Sequence, residues 1–202
     1  MPPYFFQYNE EELEQFYLQF ADNLSGNTDR RTPIYLYNIP FFTSPLSVAL
    51  AGRLLTTGRF AGIKDSGGEW SYFQALNKLR ATSNFQFMVG GEAIYLQARL
   101  EGASGAVSGL AGAVPELLVA LERAVRQGKQ DRASHLNQRL LEFVDRISKL
   151  PPTVGIKQAA VVRGWPLDHF AVPLGATYEA ELKAYWQWLE HWIPETLADS
   201  KS

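Results

Sequence analysis

The sequence predicts an α/β protein built on a parallel sheet. Two observations predict it: four short apolar strands each precede a helix-period segment, and the last part of the chain is helical without further strands. A third narrows the options. The strands end in small or polar residues, and parallel sheets of this kind carry their chemistry at the carboxyl ends of the strands. Right-handed crossovers leave a doubly wound sheet or part of a (β/α)8 barrel. No glycine-rich phosphate fingerprint follows the first strand, which speaks against a dinucleotide fold.

The elements follow in order. Asn9 is an N-cap with Glu10, Glu11 and Glu12 in the first turn. Leu13, Phe16, Tyr17 and Phe20 recur at helical spacing, so 10–24 reads as an amphipathic helix, ended by Gly26-Asn27-Thr28-Asp29. Residues 34–39 read as a strand stopped by Pro40. Ser44-Pro45 reads as an N-cap with proline at the first helical position, opening a helix to about Thr57. A strand over 60–65 follows, then a helix over 69–81 with Trp70, Phe73, Leu76 and Leu79 on one face. The third pair is a strand over 85–89, ended by Gly90-Gly91, and a helix over 92–101. The fourth is a strand over 105–108 and a helix from Pro115 to about Gln127. Helices over 130–149, 154–163 and 176–197 complete the chain. Residues 1–150 are thus expected as a partial barrel, and 151–202 as a helical extension.

Composition excludes several functions. The net charge of −2 over 202 residues gives no grip on nucleic acid or an anionic membrane. The absence of cysteine excludes disulfides, thiolate metal sites and cysteine nucleophiles, and fits a cytoplasmic protein. His135, His169 and His191 lack ligand spacing, so neither a metal nor a cofactor is expected. No stretch approaches the ~18 apolar residues of a membrane span, and the first residues lack the basic and apolar regions of a signal peptide.

The second strand ends in a lysine, within Gly62-Ile63-Lys64-Asp65-Ser66-Gly67-Gly68. A lysine held in an apolar wall loses hydration, which disfavours its charge. A neutral amine attacks ketones to form a Schiff base. The same residue also reads as a strand-end lysine reaching out to solvent.

Two further words accompany it: Tyr35-Leu36-Tyr37-Asn38-Ile39-Pro40 and Gly102-Ala103-Ser104-Gly105-Ala106-Val107-Ser108. In this order and spacing the three resemble the dihydrodipicolinate synthase / N-acetylneuraminate lyase family, Schiff-base-forming aldolases and lyases on a (β/α)8 barrel. The resemblance implies that Lys64 attacks the ketone of a 2-oxo acid such as pyruvate, and that Tyr37 transfers protons, a role a phenol suits. It implies that Val107 and Ser108 line the keto-acid pocket, with Thr43, Gly90, Gly91 and Glu92 in the substrate-binding set and Asn38 and Pro40 shaping the strand end. Gly90-Gly91 reads equally as a tight turn, and Glu92 as a carboxylate complementing a helix N-terminus. Lys157 repeats the local word in Gly155-Ile156-Lys157 but starts a helix and reads as structural. The family is commonly homotetrameric. The Trp- and Tyr-rich last helix fits assembly, or cover for the chain's own helices.

Departures from the pattern sharpen the expectation. Where the synthases carry a carboxylate-binding arginine after the tyrosine word, this chain has Phe42. Pro3-Tyr4-Phe5 matches a Pro-Tyr-Tyr word of the synthases with its second tyrosine lost. Both favour another 2-oxo acid, of the 2-keto-3-deoxy sugar acid or 4-hydroxy-2-oxoglutarate type. A (β/α)8 domain needs about 250 residues, and the first word matches the family's fifth strand. The chain is therefore expected to be part of a longer barrel, or else a half-barrel that pairs with another chain. Two other functions fit less of the sequence: a degenerate member that only binds, and phosphate binding at the glycines of 102–112.

Overall fold

The computed structural model describes residues 1–26, 32–166 and 169–201. It divides into two compact units, Met1–Val107 and Ser108–Ser202. The expected boundary after residue 150 falls elsewhere because the helices preceding 150 pack with those following it inside the second unit.

The first unit is α/β. Strands β1 (Tyr35–Asn38), β2 (Gly62–Asp65), β3 (Gln86–Val89) and β4 (Gly105–Ala106) form one parallel sheet in the order of the chain. Helices α1 (Glu10–Gly26), α2 (Val48–Thr56), α3 (Trp70–Leu79) and α4 (Tyr95–Leu100) alternate with them along the chain. The two-residue period of a strand sorts the sheet's faces. Leu36, Ile63 and Phe87 are register partners and fully buried. Phe73 of α3 meets Phe87 edge-on at 5.0 Å, which seats that helix on this face. The opposite face carries Tyr35, Tyr37, Lys64, Gln86 and Met88 and is more open: Gln86 is exposed and the others half-buried. There the Tyr35 hydroxyl donates to Gln86 Oε1. Both are register partners of Gly62, where a Cβ would collide with the Gln86 carbonyl.

Local chemistry explains the element ends. Asn9 and Glu12 cap α1 reciprocally, each side chain accepting from the other's backbone N–H at 2.9 Å. The residues Asn27, Thr28 and Asp29, expected to end that helix, lie outside the described residues. The cap of α2 is Ser47, not Ser44: its Oγ accepts from Leu50 N at 3.1 Å. Ser44 is already committed, accepting from Tyr8 N at 2.8 Å and donating to Gln7, which ties the N-terminal segment to this loop. The expected helix over 92–101 is split into a 3-10 turn, Glu92–Ile94, and α4. The strand expected over 105–108 keeps only two residues.

The second unit is helical: a 3-10 turn at Gly109–Gly112, then α5 (Pro115–Arg126), α6 (Gln130–Ser148), α7 (Val154–Val162) and α8 (Ala176–Lys201). Its core is largely leucine and alanine, with an aromatic row running along α6 and α8. Trp192 lies 5.1 Å from Phe143 and 4.7 Å from Trp188, and Tyr185 continues the row. Polar ends are satisfied: Trp192 donates to Glu142, Trp186 to Gln158, and Tyr185 to the Gly155 carbonyl. These tryptophans therefore cover their own unit's helices. Lys157 donates to the His169 carbonyl at 2.6 Å, a structural contact. Among the described residues no helix is long and apolar enough to cross a membrane.

Candidate active site

Tyr37 and Lys64 are register partners on adjacent strands, so their side chains leave the sheet on the same face. Lys64 Nζ donates to the Tyr37 hydroxyl at 3.1 Å and stands 4.2 Å from the centre of its ring. The Ser66 hydroxyl reaches the same phenol at 3.5 Å. The strand ends that hold them are locked by ladder bonds one residue further on. Ser66 N donates to the Asn38 carbonyl at 2.8 Å and Gly90 N to the Asp65 carbonyl at 2.7 Å.

Gly90 completes this corner. A Cβ there would run into Ser66 Oγ and stand 2.7 Å from Lys64 Cε and 2.9 Å from the Asp65 carbonyl. The residue is glycine because the lysine stem passes over it. Gly91 lies against Gly68, in the turn that follows the lysine strand.

Beneath the pair, on the buried face, lie Asn38 and Asp65, 4% and 2% exposed. Asn38 Nδ2 donates to Asp65 Oδ1 at 2.7 Å, and Asn38 Oδ1 accepts from Leu46 N at 3.0 Å. The Asp65 carboxylate also accepts from Gly67 N at 3.2 Å and Gly68 N at 3.3 Å. Desolvation pushes the Asp65 carboxyl above the ordinary aspartate value, against the three N–H donors and with a push from Glu69. Tyr37 moves the other way. Burial raises it, but the hydrogen bonds with Ser66 and Lys64 and the charge on Lys64 outweigh burial and bring the phenol below the ordinary tyrosine value.

The other expected residues make these contacts. Thr43 is buried, its hydroxyl donating to the Ile39 carbonyl at 3.2 Å, and it forms an antiparallel bridge with Tyr4. Val107 has an exposed side chain, while its N–H extends the sheet by donating to the Val89 carbonyl at 2.9 Å. Glu92 opens the 3-10 turn and is half-buried. Ser108 belongs to the second unit, where its Oγ accepts from Leu110 N at 3.0 Å. Phe42 is half-exposed and meets Phe41 edge-on. The structure thus brings Lys64, Tyr37 and Gly90 together, and adds Ser66 and the Asn38–Asp65 pair, to which sequence reasoning gave no chemical role. The available signal was positional: Asn38 and Asp65 each follow a candidate catalytic residue by one, which puts them on the other face of the same strand ends.

A parallel α/β sheet with a lysine and a tyrosine in contact at adjacent strand ends defines a class: proteins whose chemistry sits at the carboxyl ends of the strands. Residues 1–191 match the dihydrodipicolinate synthetase family, and the chain belongs to it. Among its relatives, the probable 2-dehydro-3-deoxy-D-pentonate aldolase YjhH of Escherichia coli is 28% identical over 190 residues, covering 91% of this chain and 61% of YjhH. The 4-hydroxy-tetrahydrodipicolinate synthase of Methanothrix thermoacetophila is 27% identical over 185 residues, 90% of this chain and 61% of that enzyme. The crystal structure of YagE, a prophage protein of the dihydrodipicolinic acid synthase family from E. coli in complex with pyruvate, superposes with a TM-score of 0.79 at 28% identity. It covers 94% of this chain and 64% of that one. The chain spans less than two thirds of the length of each of these relatives.

Proposed function

We propose that this chain carries the Schiff-base half of a (β/α)8-barrel lyase that cleaves or dehydrates a 2-oxo acid of the 2-keto-3-deoxy sugar acid type. The single observation that carries the reading is the 3.1 Å contact between Lys64 Nζ and the Tyr37 hydroxyl. The partial-barrel reading has its own support. All-parallel sheets are normally covered on both faces, yet the face bearing Lys64 leaves Gln86 exposed.

In the proposed reaction the Lys64 amine attacks the ketone carbon, a carbon–nitrogen bond forms, and the carbonyl oxygen leaves as water. The attack needs the amine without its proton, and the phenolate of Tyr37 is placed to take it. Tyr37 returns that proton to the departing hydroxyl, which completes the water, and in the cleavage (retro-aldol) direction it then accepts the proton of the β-hydroxyl. The adjacent carbon–carbon bond breaks with its electrons entering the iminium, and the aldehyde departs. Protonation of the resulting enamine and hydrolysis of the imine return Lys64 and release the shortened keto acid. The lowered phenol value supports this role, because it makes phenolate available at less alkaline pH.

Phe42 supports the sugar-acid class over the lysine-biosynthetic reaction. An apolar ring there cannot form the bidentate carboxylate clamp that an arginine provides. YjhH and YagE are named as probable or putative aldolases of 2-dehydro-3-deoxy acids, which points the same way. A cytoplasmic homo-oligomer, a tetramer as in the family, completes the proposal; light scattering on the purified protein tests the assembly.

Borohydride reduction in the presence of pyruvate, followed by peptide mass spectrometry, tests the chemistry. A reduced pyruvate adduct on Lys64, absent in Lys64→Met, is the expected result. An unmodified Lys64 would overturn the reading and leave a family member that binds without forming an imine.

A further inference from the structure

We propose that the buried Asn38–Asp65 pair is the positioning element of the site, holding Tyr37 and Lys64 in contact from the opposite face of the sheet. Its role in turnover rests on the Schiff-base reading above; its role in geometry does not.

Each member follows a site residue by one position, and the two are register partners just as Tyr37 and Lys64 are. A change in the relative height of β1 and β2 moves both pairs together. The side-chain bond from Asn38 to Asp65 crosses between the strands. From there the network reaches both outgoing turns: Asn38 Oδ1 holds Leu46 N, ahead of α2, while the Asp65 carboxylate holds Gly67 N and Gly68 N, ahead of α3. The backbone carbonyls of the same two residues accept from Ser66 N and Gly90 N. Ser66 and Gly90 are the residues that touch the phenol and the lysine stem. Two side chains therefore tie the ends of β1 and β2 to each other and to the turns that follow them, and the backbone carbonyls of the same residues continue the hold to Ser66 and Gly90.

Stability alone is a weak reason to keep a carboxylate there. A buried charge with its partners is often no more stabilising than well-packed apolar groups of the same volume. What an apolar pair lacks is direction: it would not specify the strand heights through the four side-chain hydrogen bonds made here. A site whose chemistry needs a proton to pass between Lys64 and Tyr37 gains from that, since a displacement of about 1 Å can cost on the order of 100-fold in rate.

The test is Asp65→Asn in the full chain, read in two ways. Asparagine keeps the shape but turns one acceptor oxygen into an N–H₂ that must face another donor, either Asn38 Nδ2 or a glycine N–H. First, kcat should fall roughly 10- to 100-fold with KM little changed, and the reversed pair N38D/D65N should recover part of the loss. Second, the ionisation of Tyr37 is isolated as the absorbance difference between proteins with and without Tyr37→Phe, and needs no substrate. Loss of the contact should raise it. Removing a neighbouring negative charge would by itself lower a phenol. An upward move therefore reads the contact and not the charge. A phenol that titrates as in wild type overturns the proposal, even if activity falls. If Asp65→Asn does not fold, the titration is read on Asn38→Ala, which removes the cross-strand bond and the hold on Leu46 N: a raised phenol supports the proposal and an unmoved one overturns it. Failure of the Schiff-base reading shows separately, as an unmodified Lys64 in the wild-type borohydride experiment.

Discussion

The two compact units solve different problems with the same alphabet. In Met1–Val107 the buried layer includes a carboxylate and an amide, and their bonds run between strand ends. In Ser108–Ser202 the buried layer is aliphatic side chains joined by a row of rings, and the ionic groups lie at its rim: Arg139 with Asp199 and Glu195, and Arg163 with Glu116. Ring stacks fill volume and tolerate small shifts; hydrogen bonds between strand ends set height and direction. The lesson is that the first unit is built for position and the second for bulk. Substitutions should separate activity from stability accordingly.

The largest expected effect on activity is Tyr37→Phe. Losing the proton-transfer group should lower kcat by about 10²- to 10⁴-fold, while the melting temperature changes little because the ring stays. The pH profile sharpens this result. The phenol sits below the ordinary tyrosine value of about 10 because Ser66, Lys64 and the lysine charge outweigh its burial. The wild-type rate should therefore rise through that lowered ionisation, and the rise should vanish in the variant. The counterpart in the second unit is Phe143→Ala. It removes the fully buried ring at one end of the row and should cost about 3–5 kcal/mol of stability, read by denaturant unfolding. Trapping of Lys64 per folded molecule should be unchanged. If it drops in step with stability, the contrast between the units is broken.

How much of this was legible in the sequence depends on range. Periodicity and turn residues place all four strands and eight helices, because those signals are local. Lys64 and Tyr37 are marked by their words, and their placement on adjacent strand ends agrees with the topology. What escapes is whatever depends on a partner far along the chain. Ser44 and Ser47 are equally good caps in isolation; only the bond from Tyr8 N to Ser44 decides between them. Asn38 and Asp65 are 27 residues apart and their pairing needs the strand register. Thr43 stands beside the tyrosine word, yet its hydroxyl is held by Ile39. Trp192 of the last helix is shown as cover for its own unit only once Phe143, from another helix, is seen against it, while Trp186 keeps an exposed ring.

Gly90→Ala should have an intermediate effect, and it tests whether position and stability separate within the first unit. The added methyl meets Ser66 Oγ and Lys64 Cε, which can swing away, and the Asp65 carbonyl, which cannot without moving β2. A cost of about 1–3 kcal/mol is expected, together with slower trapping of Lys64 per folded molecule. A loss of stability with normal trapping would show that the lysine stem has room to spare, and would loosen the link between the glycine and the site.

The smallest effect belongs to Asp199→Asn, at the rim of the second unit. Asp199 accepts from Arg139 Nε at 3.2 Å and pairs with His135 at 3.0 Å. Burial raises its carboxyl, but the bonds and charges of His135 and Arg139 outweigh that and hold it below the ordinary value. A carboxyl with a depressed folded value stabilises above its unfolded value of about 3.9 and loses that contribution as the pH falls through the folded one. The groups are partly exposed and water screens them, so the variant should cost no more than about 1 kcal/mol at neutral pH. The difference from wild type should shrink as the solution is acidified below the unfolded value, where both chains carry an uncharged group at 199. Unfolding curves at neutral and acidic pH read it directly. A difference that persists undiminished in acid would mean that Asp199 acts through packing, and would move this rim from ionic to steric work.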